Sequence, residues 1–238
     1  PQEYKALKPG DDAMHLLHLD QPILEINITP DRGYAFSYRG VAREYHHSTG
    51  AKFVDPVTEL NKRAPAAPAA ESGVSSDIEV IVDDNNPIHG VTGCDRYVAR
   101  AIHGFDPTNH TPNWMRRRLI RAGMRSISLA VDVTNYVMLD LGQPMHAYDL
   151  DKIEGPIVVR RAAEGEKLTT LDGKEHDLSV EDLLITDSPD GKRGSRILGI
   201  AGVMGGLYGE VTADTKNILL EAAHFDSVSI ARSARRHK

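Results

Sequence analysis

Between Lys62 and Ser76 the chain reads KRAPAAPAAESGVSS, and this stretch limits the fold more than any other. Proline, alanine and serine offer little to bury, so one core cannot run through it and an extended, mobile linker is expected. The sequence therefore divides into a small, mainly helical N-terminal domain over residues 1–61, a linker over 62–76 and a larger domain over 77–238. With 238 residues and 40% hydrophobic composition the chain can bury one good core and a smaller satellite. A start at Pro1 without Met and a basic run at the end are what a piece of a longer protein would show, with the larger domain cut at its C-terminal end.

Local patterns give the elements. QPILEINITP alternates Ile26 and Ile28 with Asn27 and Thr29, the period of a strand, and Pro30-Asp31 breaks it. YAFSYRGVAREYHHSTG follows as a helix closed near Gly50. After the linker, DIEVIVDD and RYVARAIHGF read as strands, the second alternating around Val98 and Ile102. TPNWMRRRLIRAG is the clearest helix, with Thr111 as N-cap, Pro112 at the first helical position and Gly123 in the left-handed C-terminal conformation. Its Trp114, Met115 and Leu119 are expected to face the core, and Arg116, Arg117, Arg118 and Arg121 to look outward, either as a solvated basic face or as contacts to a phosphate backbone.

From Gly155 onward the signal is strand: PIVVRRA, EKLTTLDGKEHDL with a tight Asp172-Gly173 turn, DLLITD, RILGIAGVMGG and NILLEAAHF. Helices and strands do not alternate regularly, which argues against a doubly wound sheet and for an α+β fold whose β-rich second half would suit a barrel-like arrangement.

Several chemistries lack support. There is no P-loop, no dinucleotide-binding glycine fingerprint and no pair of Cys-x-x-Cys knuckles, so ATP, nicotinamide and structural zinc are not indicated in this chain. The pairs His15/His18 and His46/His47 have no third ligand nearby, so no metal is expected. Cys94 is the lone cysteine, and no apolar run resembles a signal peptide or a membrane span; a reducing, cytoplasmic setting without a membrane fits. The net charge of −6 speaks against gripping nucleic acid with the whole surface, but WMRRRLIRAGMR and ARSARRHK leave local basic patches.

Four features have both a chemical and a structural reading. Glu221 follows an apolar run in NILLEAAHF, so its carboxylate either pairs with a cation or waits for a ligand's donor. Asn135, within the apolar VDVTNYVML, serves either a core hydrogen bond or a site. His146, after the proline turn in GQPMH, is either a packed histidine or chemistry. The glycines of GIAGVMGGLYG permit either a tight turn or close approach to a ligand.

Taken in order, VDVTNYVMLDLGQPMHAYDLDKI, GEKLTTLDGKEHDL and AGVMGGLYGEVTADTKNILLEAAHF closely resemble the editing domain of the bacterial phenylalanyl-tRNA synthetase β subunit. LEINITPDRGYAFSYRGVARE resembles the short helical domain that precedes it, so the resemblance runs from about Leu24 to Lys238. It implies post-transfer editing, the hydrolysis of tRNA(Phe) mischarged with tyrosine. An apolar pocket shaped for phenylalanine rejects an added hydroxyl only about 100-fold, so a second sieve is needed, and a buried acceptor for the phenol inverts the selection.

The resemblance also implies roles. Glu221 falls where the family reads the tyrosine hydroxyl, Gly205 with Gly206 on the pocket wall, Thr134 and Asn135 at polar lining positions, and His146 near the scissile ester. In this expectation His146 orients the ester or the terminal adenosine, and backbone N–H groups near Gly205 polarise the carbonyl. The expected partners are tRNA(Phe) and the α subunit in an α2β2 assembly; ATP and Mg2+ belong to the complete synthetase and no cofactor to this chain. The family's chain continues past ARRHK into a segment that helps line the pocket, and it reads Pro-Asn-Arg where Pro30-Asp31-Arg32 stands here. The competing reading is a non-catalytic module that holds tRNA or the α subunit.

Overall fold

The computed structural model describes residues 8–12, 14, 20–63, 74–84 and 87–238. The chain divides into two compact units, residues 1–33 and 34–238. In the first, the strand expected over QPILEINITP does not form: residues 22–29 run as irregular backbone with Ile23, Leu24 and Ile26 exposed. Period-2 alternation marks a strand only where another strand is present to pair with it. His15, His18 and the linker stretch 64–73 lie outside the described residues.

The second unit opens with helices α1 (Tyr38–Thr49) and α2 (Pro56–Arg63). Ser37 caps α1 by accepting from the Gly40 amide, and Gly50 closes it in the left-handed conformation, φ 71°, as its sequence indicates. Strands β1 (Val74–Ser76), β2 (Val80–Asp83) and β3 (Cys94–Ile102) lead into helices α3 (Asn113–Arg121) and α4 (Leu129–Leu141). Then come β4 (His146–Asp149), β5 (Ile157–Arg161), β6 (Lys167–Thr169), β7 (Glu175–Asp177), β8 (Leu183–Asp187), β9 (Arg196–Ile200), β10 (Met204–Gly205), β11 (Ile218–Phe225) and helix α5 (Ser227–Arg236).

This is a mixed α+β fold. One sheet has the order β1-β3-β11-β4, a second β10-β9-β8-β5-β2, and β6-β7 form a hairpin. In the first sheet β11 runs antiparallel to both β3 and β4; in the second only β2 and β5 are parallel. Each sheet keeps its own edges, so the β-rich half is layered rather than closed into one barrel. The core joins Tyr97, Ala99, Tyr148 and Leu219 of the first sheet to Ile157, Val159, Leu183, Ile185 and Leu198 of the second. Strand β8 is buried along its whole length because its other face, through Leu184, meets Leu168 and Leu178 around the β6-β7 hairpin.

Three local expectations are corrected. On β3 the buried residues are Cys94, Tyr97 and Ala99, while Ile102 is 42% exposed; Tyr97 takes the core face because its hydroxyl finds a buried partner. Thr111 does not cap α3: its hydroxyl donates to Asp132, a fully buried carboxylate that also accepts from the Ser126 hydroxyl and the Ile127 amide. Trp114 is 47% exposed; Met115 and Leu119 alone of the three turn inward. Trp114 stands edge-on to Tyr136, with the Arg118 guanidinium 5.7 Å and 5.9 Å from the two ring centres.

Candidate active site

The register of β11 brings the site together. Glu221 is paired with Ala99 of β3 on one side and His146 of β4 on the other, and residues directly opposite in an antiparallel pair project to the same face. Tyr97 and Tyr148 lie two residues along β3 and β4 and so share that face.

Glu221 is 7% exposed, and its Oε2 accepts from two hydroxyls, Tyr148 at 2.7 Å and Tyr97 at 3.0 Å. Among the described residues no cation pairs with it. Oε1 makes no protein hydrogen bond, yet no buried side-chain oxygen among the described residues lacks a partner, so Oε1 opens to solvent. Burial first, and then the charge of Glu221, push both phenols well above their ordinary pKa, which keeps them as donors.

Glu221 lines a cavity of about 670 Å³, together with His146, the 142–145 segment, residues 199–205, and Phe225 with Ile230 and Ala231 of α5. Among the described residues neither ring nitrogen of His146 has a hydrogen-bond partner, and the ring, which lines the cavity, sits edge-on to Tyr148 at 4.5 Å. Burial lowers the His146 pKa, with Glu221 pulling the other way, so the neutral imidazole is the form present at pH 7. Among the described residues no carboxylate or carbonyl orients the ring, which suits a group that positions water or substrate better than a proton relay.

Gly205 lies directly against the His146 ring on the cavity wall. Gly206 lies off the lining; a Cβ there would stand 2.7 Å from the Leu198 carbonyl oxygen, so its missing side chain serves strand packing. The amides of Gly206 and Leu207 donate to the carbonyls of Leu198 and Thr169, which leaves neither for a ligand. Thr134 and Asn135 sit on α4, outside the cavity lining: Thr134 is buried and donates to the Val131 carbonyl, whereas the half-buried Asn135 side chain makes no hydrogen bond. The Arg116 and Arg118 side chains are exposed on α3, Arg117 and Arg121 half-buried. Among the described residues no group of three His, Cys, Asp or Glu could hold a metal ion, and no helix is long and apolar enough to cross a membrane.

Sequence reasoning did not anticipate Tyr97, Tyr148 or the α5 residues. The signal for Tyr148 was present: in HAYD it lies two residues after His146, on the same face of any strand.

Residues 93–238, from the start of β3 to the end of the chain, match the model of the B3/4 domain. The chain belongs to the B3/4 domain family. It is also similar over nearly its whole length to phenylalanine-tRNA ligase β subunits: 82% identical to that of Bifidobacterium longum across 99% of the chain, 54% to that of Leifsonia xyli across 96%, and 49% to that of Streptomyces avermitilis across 100%. The chain spans 27%, 25% and 26% of the length of these relatives. Every residue bounding the cavity lies within the B3/4 domain.

Proposed function

We propose that this chain is the editing part of a phenylalanine-tRNA ligase β subunit and hydrolyses the ester that joins tyrosine to tRNA(Phe). The observation that carries this reading is a buried carboxylate with one open oxygen, Glu221 Oε1, in the same cavity as an imidazole with two open nitrogens. A cavity of about 670 Å³ has room for a tyrosyl ester and an attacking water.

In this reading the phenol of tyrosine donates to Oε1, and a phenylalanyl group leaves that oxygen without a donor, which costs about 1–3 kcal/mol. The water oxygen bonds to the carbonyl carbon and the bond from that carbon to the ribose oxygen breaks; one water proton passes to the ribose oxygen, which leaves as a hydroxyl, and the other goes to solvent as tyrosine departs as a carboxylate. Neutral His146 accepts from the water or the ribose hydroxyl and so fixes the geometry; the ester itself is an activated bond. Asn135, with its amide free, is assigned to the terminal adenosine beyond the cavity, and Thr134 to holding that turn of α4. Arg116, Arg117, Arg118 and Arg121 are assigned to the tRNA backbone. ATP, Mg2+ and the α subunit of an α2β2 assembly belong to aminoacylation by the complete ligase in the cytoplasm.

The test is the rate at which tyrosine and phenylalanine are released from tRNA(Phe), by the wild type and by Glu221→Ala. Faster loss of tyrosine, with the preference shrinking in the variant, supports editing. Release of both at the blank rate favours the module that holds tRNA or the α subunit.

A further inference from the structure

Two neutral donors converge on one oxygen of a buried acid, and this is the feature that the catalytic reading leaves unused. A lone carboxylate on a strand rotates about its last torsion, which is broad and nearly two-fold, so its two oxygens exchange places freely. Here the Tyr148 and Tyr97 hydroxyls reach the same atom, Oε2, at 2.7 Å and 3.0 Å, from strands on opposite sides of β11. Their rings are 2% and 0% exposed and packed in the main core, so the donors do not move to follow the carboxylate.

We infer that Tyr97 and Tyr148 are positioning residues that set the amino-acid selectivity of the cavity by occupying Glu221 Oε2 and leaving Oε1 as its only acceptor. This rests on the editing function proposed above and goes beyond it in naming what makes Glu221 selective. With Oε2 taken, one donor at one place satisfies the carboxylate, and a para-hydroxyl supplies it. Without the pair, the carboxylate turns and accepts water at either oxygen, so a tyrosyl hydroxyl no longer meets a waiting acceptor and is held no better than a phenylalanyl group. The absence of a lysine or arginine partner matters in the same way. A salt bridge would satisfy the acid with or without substrate, whereas two hydroxyls hold it and leave it one donor short.

Tyr148→Phe and Tyr97→Phe each remove one oxygen and keep the ring. They are to be made in the full-length β subunit assembled with its α partner, and kcat and KM measured separately for release of tyrosine and of phenylalanine from tRNA(Phe). The expected result is a fall of about tenfold in the kcat/KM ratio of tyrosyl over phenylalanyl ester in each variant, the size of one hydrogen bond to a charged group. It is carried by the tyrosyl ester, with phenylalanyl release unchanged. A folding defect would lower both esters together, and in that event the other single variant, with its melting curve, decides.

A wild-type preference that both variants retain, while Glu221→Gln loses it, overturns the inference and leaves the editing function standing. A wild-type enzyme without preference overturns both.

Discussion

A Cβ placed on Gly205 would stand 2.8 Å from Cε1 and 3.0 Å from Nε2 of His146. The first is closer than real side chains come and the second is at the tight edge of what they show, and His146 is backed by the Tyr148 ring at 4.5 Å. The φ of Gly205 is not positive, so the absent side chain here is a matter of space rather than of backbone conformation. Gly205→Ala therefore displaces the imidazole from its place on the cavity wall. Tyrosyl-tRNA deacylation is expected to fall about 100-fold, since a misplacement of about an ångström at a reacting group has that effect, with little change in melting temperature. Deacylation rates and thermal melts on the same preparation check it.

His146 predicts a pH dependence of definite sign. Burial lowers its folded pKa below the ordinary 6.5, so neutral imidazole persists in the folded chain to more acid pH than in the unfolded one. Hydrolysis is expected to be flat near neutrality and to decline with a midpoint below 6.5, and the decline to vanish in His146→Asn. In the window between the two pKa values the unfolded chain binds the extra proton, so this residue makes the protein less stable as the pH falls through it. A midpoint at or above 6.5 would contradict the assignment.

Cys94 is 1% exposed, and burial pushes its thiol pKa up to about 12. It is expected to resist Ellman's reagent at pH 8 in the folded protein and to react fully once the chain is unfolded in guanidinium. Prompt reaction without denaturant would show that the core around β3 opens readily.

The last helix is held by a pair of acids. Asp182, fully buried, accepts from the Ser233 hydroxyl at 2.6 Å, Arg236 at 2.5 Å and His237 at 2.7 Å, while Glu181 pairs with Arg232 and Arg236. Burial alone would raise the Asp182 pKa, but the Ser233 hydroxyl, the Ser179 amide and His237 outweigh it and hold the carboxyl below its usual value. Its contribution is thus present above the unfolded carboxylate pKa of about 4 and is lost as the pH falls further. Asp182→Ala is expected to cost about 2–4 kcal/mol and, because Ile230 and Ala231 bound the cavity, to raise KM for the tyrosyl ester. Urea unfolding and steady-state kinetics together test it.

The strands of the second half were legible because β5, β8, β9 and β11 are short apolar runs between turn residues. Helix α4 was harder to see. Its VDVTNYVML is rich in β-branched residues and weakly amphipathic, and it becomes helical through the Ser128 cap and the packing of Asp132. Glu221, His146 and Gly205 were named from resemblance, and the cavity holds all three. Thr134, Asn135 and Gly206 were named in the same way and lie off its lining. What no reading of adjacent residues reveals is the cross-strand part: Tyr97 meets Glu221 only because β11 lies between β3 and β4.

That strand order also fixes when the cluster of Tyr97, Glu221 and Tyr148 can form. β3 and β4 do not touch as strands; each is paired to β11, which follows Tyr97 by 124 positions and Tyr148 by 73 when counted to Glu221. During synthesis the two tyrosines emerge long before the acid they hold, and their hydroxyls have nothing to grasp. In the proposed reading, selectivity therefore waits on β11, because neither tyrosine hydroxyl meets the acid until that strand pairs with both β3 and β4.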